Sequence, residues 1–455
     1  MMKRPTFHWL MVPALLIAPG LAQSVGPSGL IDGRIDSISE QVERRAEALV
    51  ERKVAERTRE RMVNADELPE QLQGQLSELL PVRTRNGETA FYEALQRDGS
   101  RAVARQWLIT ATADELVQLR RPGVTILEQR ELEGLGLTVV RFQVRPDIDS
   151  RAALEKLLPE LSERLDRNHI YSPQSRAAGA VPNGPQQPIA SLCSDPVRVG
   201  MVDTLISDEH SAFDQASIIQ KPFLTMANQP GELTAPRAHG TAVASVLMGQ
   251  LGAQSRARLP HATLFNASVF YEGSGATSGA TLAHLLEGLN WLAEQKTSVI
   301  NISLTGPDNR ILAAAIKSLQ KQGPILVAAV GNEGPAAPPL YPAAYEGVIG
   351  VTAVDNAGAL YRWANRGNHV AFAARGVDVP VAHTNGGLVR DSGTSLAAPV
   401  VAALLACSLP RMSKEQAIQA LIDHAEDLGD KGRDPGFGHG FLDDQSERFR
   451  NPPAE

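Results

Sequence analysis

Cysteine is almost missing from this chain: Cys193 and Cys407 are the two among 455 residues. At most one disulfide can form, and two buried free thiols are the alternative. Clusters of Lys and Arg are lacking outside one mixed-charge stretch, and the net charge is −7. Nucleic-acid binding therefore has no electrostatic support. Long apolar runs are lacking too. The run Trp9 to Ala18 is shorter than the ~20 residues that span a bilayer, and no later segment is longer and uninterrupted. A permanent membrane anchor is not expected. Lys3 and Arg4 precede that run and Gly20-Leu21-Ala22 follows it, the order of a secretory signal over 1–22. An uncleaved N-terminal anchor is the alternative. Export, to the periplasm or beyond the cell, is the expectation, and export permits a disulfide.

What is present is ordinary globular material, 43% hydrophobic and 21% charged, enough for two domains. Residues 23–84 read as a charged helical arm. Ile31, Ile35, Ile38, Val42 and Leu49 follow a three-four spacing that lapses as Arg45 and Arg52 enter its path. A solvated helix fits this, and so does a helix that binds a protein partner through residues 31–62.

Residues 85–174 alternate in a defined order. Strands are expected at Trp107-Leu108-Ile109, Val124 to Gln129, Leu137 to Val144 and His169-Ile170-Tyr171. Helices are expected at Ala113 to Arg120 and from the cap Ser150 to Leu165. This is the split βαβ pattern of ferredoxin-like α+β folds, and it holds no catalytic cluster. Residues 175–195 are rich in Ala, Gly, Pro and Gln and read as a linker.

From 196 to 448 the pattern becomes βα alternation. Apolar strands are expected at Val197 to Val202, Leu264 to Phe270, Ser298 to Leu304, Ile325 to Val330 and Gly347 to Val354. Helices are expected at Thr241 to Leu251, Ser278 to Gln295 and Asn309 to Gln322. Such alternation predicts an α/β three-layer sandwich around a mainly parallel sheet.

Ligands gather at the carboxyl edge of such a sheet. Asp203 ends the first strand there, His239 opens a helix and Asn332 follows a strand in Gly331-Asn332-Glu333-Gly334. Ser395 opens the apolar helix after Ser392-Gly393-Thr394. Singly, these read as a turn, a structural histidine, a turn and an N-cap. Together they stand in the order Asp, His, Ser, one of the known orders of a catalytic triad.

Over roughly 196–445 the chain resembles the subtilisin-like serine proteases, the subtilase family. The match is most specific around His239-Gly240-Thr241 and Ser392-Gly393-Thr394-Ser395. Gly273-Ser274-Gly275 resembles the family's substrate-pairing edge, and Ser303-Leu304-Thr305-Gly306 its opposing strand and pocket wall. The loop around Asn332 resembles its oxyanion loop, and Gly438-His439-Gly440 with Asp443 its closing segment. Departures occur at Leu205, Ala242, Leu396, Ala398 and Val400; none removes a reacting group.

The resemblance implies an endopeptidase acting on protein or peptide substrates through an acyl-enzyme. Ser395 would be nucleophile, His239 base, Asp203 its orienting acid and Asn332 the oxyanion donor. It also implies that 85–174 is a propeptide, an inhibitor and folding aid for its own peptidase domain, cut off at Gln174–Ser175. Thr305 and Leu340 would narrow the pocket toward small or medium side chains, an expectation that the size of Gln174 pulls against. Both cysteines would approach the sheet end opposite the site, one down the first strand and one down the serine helix. No metal ligands or catalytic cofactor are expected; structural calcium is left open, although Leu251 to Leu259 lacks the oxygens a calcium loop needs. The competing reading is a catalytically silent binding protein on the same fold, recruited by its helical arm. A lipase-type hydrolase is disfavoured, since Ser395 lacks a Gly-x-Ser-x-Gly elbow.

Overall fold

The computed structural model describes residues 79–445, apart from 113, 174–175, 181–188, 228, 253 and 274–277. The expected leader, most of the arm, and Gln174, Ser175, Ser274 and Gly275 lie outside the described residues. Residues 79–84, which the sequence assigns to the arm, are not helical. β1 (Leu80–Arg83) pairs antiparallel with β2 (Thr89–Leu95), and Val82 and Phe91 alternate inward to a small apolar core. That two-residue period suits a half-buried strand rather than a helix.

β3 (Arg101–Thr110), β4 (Val124–Leu132), β5 (Leu137–Val144), α1 (Arg151–Leu157) and β6 (Leu165–Pro173) follow. The antiparallel order is β6-β3-β5-β4, and Trp107, Ile109, Phe142, Leu154 and Leu165 fill one face. Two expected helices are shorter than the sequence suggests. Asp114–Leu119 is a 3₁₀ turn. Ser150 caps α1 as expected, accepting from the Ala153 N–H at 3.2 Å, but the helix stops at Leu157. Pro159 lies two residues beyond and has no N–H to continue the ladder. The expected linker is also not wholly irregular: β7 (Arg176–Ala180) pairs with a strand at Leu388–Ser392.

The α/β part comprises β8 (Arg198–Asp203), β9 (Ser217–Pro222), α2 (Ala238–Met248), β10 (Thr263–Ser268), β11 (Tyr271–Glu272), β12 (Ser278–Thr281) and α3 (Leu282–Glu294). It continues through β13 (Val299–Ile302), β14 (Leu304–Thr305), α4 (Arg310–Gln322), β15 (Ile325–Ala329) and β16 (Ile349–Val354). Last come β17 (Val370–Arg375), β18 (Val379–Ala382), β19 (Leu388–Ser392), α5 (Thr394–Ser408) and α6 (Lys414–His424). Seven strands form a parallel sheet in the order β17-β16-β15-β13-β8-β10-β9. Alternate residues bury on opposite faces. Val199, Met201, Val327 and Ala329 pack with α2 and α5, while Val202, Ile300, Ile302, Leu326 and Ala328 pack with α3 and α4. The expected three-layer α/β sandwich is therefore present.

Two helix starts differ from the expectation. α2 begins before His239 rather than after it. Ser278–Thr281 is extended, not helical, and α3 starts only after Thr281, whose hydroxyl accepts from the His284 N–H at 3.2 Å. Asn309 caps α4 through the N–H groups of Ile311 and Leu312. At the far end of the sheet Cys193 and Cys407 form a disulfide with a Cα–Cα distance of 5.6 Å, so the two-thiol alternative is discarded.

Candidate active site

Asp203 is the last residue of β8, which lies between β13 and β10 in the sheet, and its side chain is fully buried. A buried carboxylate is tolerable only when it is hydrogen-bonded; Oδ2 of Asp203 has no partner among the described residues, so Oδ1 carries the bonding. Its Oδ1 accepts from the Thr204 N–H at 2.7 Å and lies 2.7 Å from Nδ1 of His239. Because a carboxylate accepts, Nδ1 carries the proton and Nε2 becomes the ring's basic nitrogen. The first turn of α2 is pressed against the end of β8. The Gly240 N–H donates to the Thr204 hydroxyl at 2.7 Å, and a Cβ on Gly240 would stand 2.5 Å from the Thr204 carbonyl. Glycine is thus required there for the imidazole to reach Asp203. Leu205, a departure from the family pattern, is held by an N–H bond to the Pro236 carbonyl at 3.0 Å.

Ser395 is the second residue of α5, buried, where helix N–H groups and the dipole favour developing negative charge. Pro399, four residues on, has no N–H to bond the Ser395 carbonyl. Ser303 supplies that donor instead, its hydroxyl 3.0 Å from the carbonyl oxygen, and Asn301 donates to the same hydroxyl at 2.9 Å. Ser303, expected to bind substrate, thus holds the serine helix in place. α2 and α5 pack side by side on one face of the sheet, which brings both of their N-termini to its carboxyl edge.

Asn332 follows β15 across Gly331, whose φ of +112° suits glycine. Its Oδ1 accepts from both the N–H and the hydroxyl of Thr394, at 3.1 and 3.0 Å. With that oxygen committed, the amide N–H₂ is left as the donor side of the group. The Gly331 N–H donates to the Thr394 hydroxyl at 3.2 Å, and the Glu333 N–H to Oδ1 of buried Asn365 at 2.9 Å. Burial pushes the Glu333 carboxyl above its usual range.

Leu340 lies against Gly331, and Gly306 and Tyr341 exchange backbone bonds of 2.9 and 3.0 Å. These contacts bring Thr305, Gly306 and Leu340 close together. Leu304 turns its side chain into the core instead. β12, at Ser278–Thr281, pairs with β6; Gly273 follows β11, and Ser274 and Gly275 lie outside the described residues. β6 runs antiparallel between β12 and β14, with Tyr171 opposite Ala280 and Pro173 opposite Leu304. Among the described residues no group of three His, Cys, Asp or Glu could hold a metal ion.

The sequence missed Thr394, Thr204 and Asn365. Thr394 stands in the quoted serine motif, yet its tie to Asn332 spans 62 residues and has no local signature.

The family model for the subtilase family matches residues 194–440. Subtilisin DY from Bacillus licheniformis is 30% identical over 247 residues, covering 51% of this chain and 85% of that protein. The minor extracellular protease Epr of Bacillus subtilis (strain 168) is 36% identical over 165 residues. That match covers 35% of this chain and 26% of Epr. Among solved structures, fervidolysin from Fervidobacterium pennivorans, a keratinolytic enzyme related to subtilisin, aligns over 83% of this chain and 64% of its own. The TM-score is 0.61 at 17% identity, a likeness of fold.

Proposed function

The chain belongs to the subtilase family, and on that premise we propose that it is an exported serine endopeptidase made as a self-processing zymogen. Ser395 attacks the scissile carbonyl, and Nε2 of His239 takes its proton and later gives it to the leaving amine. Asp203 holds the imidazole in the Nδ1–H tautomer and stabilises the imidazolium. The Asn332 amide and the Ser395 N–H stabilise the oxyanion. The observation that carries this reading is the 2.7 Å bond between buried Asp203 and His239. It lies at the sheet edge where the serine helix begins and where Asn332 is tied to the residue before Ser395.

The N-terminal segment acts as the inhibitory propeptide. Its antiparallel order β6-β3-β5-β4 suits a ferredoxin-like domain. Asn168 accepts from the Ala283 N–H at 3.2 Å and Asp166 from the Arg310 N–H at 3.1 Å, so two strand residues satisfy donors at the starts of α3 and α4. Tyr171 is fully buried, its hydroxyl donating to the Pro307 carbonyl at 3.3 Å. Pro173 is paired with Leu304, and Arg176 with Ser392, three residues before Ser395. The two residues between them, Gln174 and Ser175, are the proposed cut. Leu340 against Gly331 favours small or medium residues before the cut in other substrates.

A fluorophosphonate probe should label the wild-type protein and not Ser395→Ala, and Ser395→Ala should accumulate as an uncut chain. Labelling of Ser395→Ala, or its normal processing, would overturn the proposal.

A further inference from the structure

We propose that the loop 223–237, together with Tyr271, is a docking surface separate from the cleft, and that its occupant is the chain's own β1–β2 hairpin. By this surface the peptidase half keeps hold of the N-terminal segment after the cut. The inference rests on the reading of that segment as an inhibitory propeptide and gives it a second hold, away from the reacting groups.

The loop joins β9 to α2 and so leads directly into His239. Apart from a bridge at Leu233 it belongs to no helix or strand, so its backbone groups need partners from elsewhere. The N-terminal segment supplies them. The Arg85 N–H donates to the Glu232 carbonyl at 2.8 Å, Thr84 bridges Leu233, and Arg141 donates to the Ala227 carbonyl at 2.9 Å. A Cβ on Gly231 would stand 3.3 Å from the Asn86 side chain, so the hairpin turn lies on the loop itself.

Side chains make the fit specific. Leu224, Met226 and Leu233 share one apolar core with Tyr271 and with Val82 and Phe91 of the hairpin. Phe91 and Glu93 are two apart on β2 and therefore face the same way. Phe91 meets Tyr271 edge-on with ring centroids 5.3 Å apart, and the Tyr271 hydroxyl donates to the buried Glu93 carboxylate at 2.7 Å. Arg101 on β3 pairs with that carboxylate. The N-terminal segment thus brings its own counter-charge, and the surface contributes a hydroxyl and apolar area.

In the sheet, β3 stands between this hairpin and β6. A cut between Gln174 and Ser175 frees the end of β6 but breaks none of the hairpin's contacts. Undocking would expose Leu224, Met226, Leu233 and Tyr271 to water, which opposes it. The cut segment consequently stays in place, and activity waits on the hairpin's departure rather than on the cut.

The test refolds the full-length chain and times two events, the cut on a gel and the rise in turnover of a short quenched peptide. Glu93→Gln weakens the bond from Tyr271, and it lies in the segment that is lost, so the final enzyme has the wild-type sequence. Cutting should keep its pace while the interval from cut to full activity shortens about tenfold, the worth of one charged hydrogen bond. Tyr271→Phe keeps the ring, removes the hydroxyl and should shorten the interval as much; if Glu93→Gln does not refold, Tyr271→Phe makes the comparison alone. The double variant should match Tyr271→Phe, because both changes act on one bond. An interval unchanged in Tyr271→Phe, or shortened additively in the double variant, overturns the docking surface and leaves the peptidase reading standing. If the wild-type chain is not cut and takes up no fluorophosphonate label, the peptidase reading falls and this inference with it.

Discussion

Thr394 gives both its backbone N–H and its hydroxyl hydrogen to Oδ1 of Asn332, at 3.1 and 3.0 Å. A residue beside the proposed nucleophile thereby sets the direction of the group proposed to stabilise the oxyanion. Thr394→Val keeps the shape and the N–H but loses the hydroxyl. We expect kcat to fall roughly three- to tenfold with KM unchanged, the worth of one net hydrogen bond, and Thr394→Ser to recover it. A change in KM alone would mean that Thr394 does not act through Asn332.

Gly306 has no room for a side chain: a Cβ there would stand 2.3 Å from the ring of Tyr171. Gly306→Ala should therefore displace Tyr171 and loosen the N-terminal segment, at a cost of about 1–3 kcal/mol for overpacking. Measured as time to full activity after refolding, the variant should lose inhibition sooner than wild type. Unchanged timing would show that Tyr171 is not an anchor.

His284 is fully buried on α3, and neither ring nitrogen has a hydrogen-bond partner among the described residues. Burial, with nearby Arg141, lowers its pKa from 6.5 to about 3. The folded chain holds it neutral, whereas the unfolded chain protonates it below about 6.5. Stability attributable to this group is therefore intact above that pH and declines as pH falls toward 3, by up to ~1.4 kcal/mol per unit. Urea unfolding of the Ser395→Ala protein at stepped pH should show this slope, and adding His284→Leu should flatten it by about that much. An identical slope in both proteins would remove His284 as its source.

Cys193 and Cys407 are 214 residues apart in sequence. By chain entropy, a loop of that length is worth ~5 kcal/mol to the folded state. The Cys193→Ala/Cys407→Ala double variant should melt well below the oxidised protein, with wild type under reductant falling to match. Equal melting temperatures would mean that the bond constrains nothing that unfolds.

Asp203, His239, Asn332 and Ser395 could be read from sequence because each stands in a short motif at a strand end or a helix start. β8, β13 and β15 were legible because they are short, largely apolar runs. β1 and β7 were not. Leu-Pro-Val-Arg and Arg-Ala-Ala-Gly-Ala have little strand preference of their own and are extended because a neighbouring strand pairs with them. Ser278–Thr281 read as helix for a related reason: four small residues preceding an apolar helical run carry no period, and their pairing with Tyr271–Glu272 and with Ile170–Tyr171 decides.

The sequence by itself determined the α/β sandwich, the residues proposed to react and the edge of the sheet on which they gather. Each follows from local periodicity or from motifs whose residues lie side by side. Tertiary structure alone decided how those groups are oriented and what occupies the cleft. Thr394 aims Asn332, Ser303 replaces the helical bond that Pro399 cannot make, and β7 lies along β19. These contacts join residues 62, 92 and more than 200 positions apart, and a hydrogen bond at such separation leaves no periodicity in the chain from which to read it.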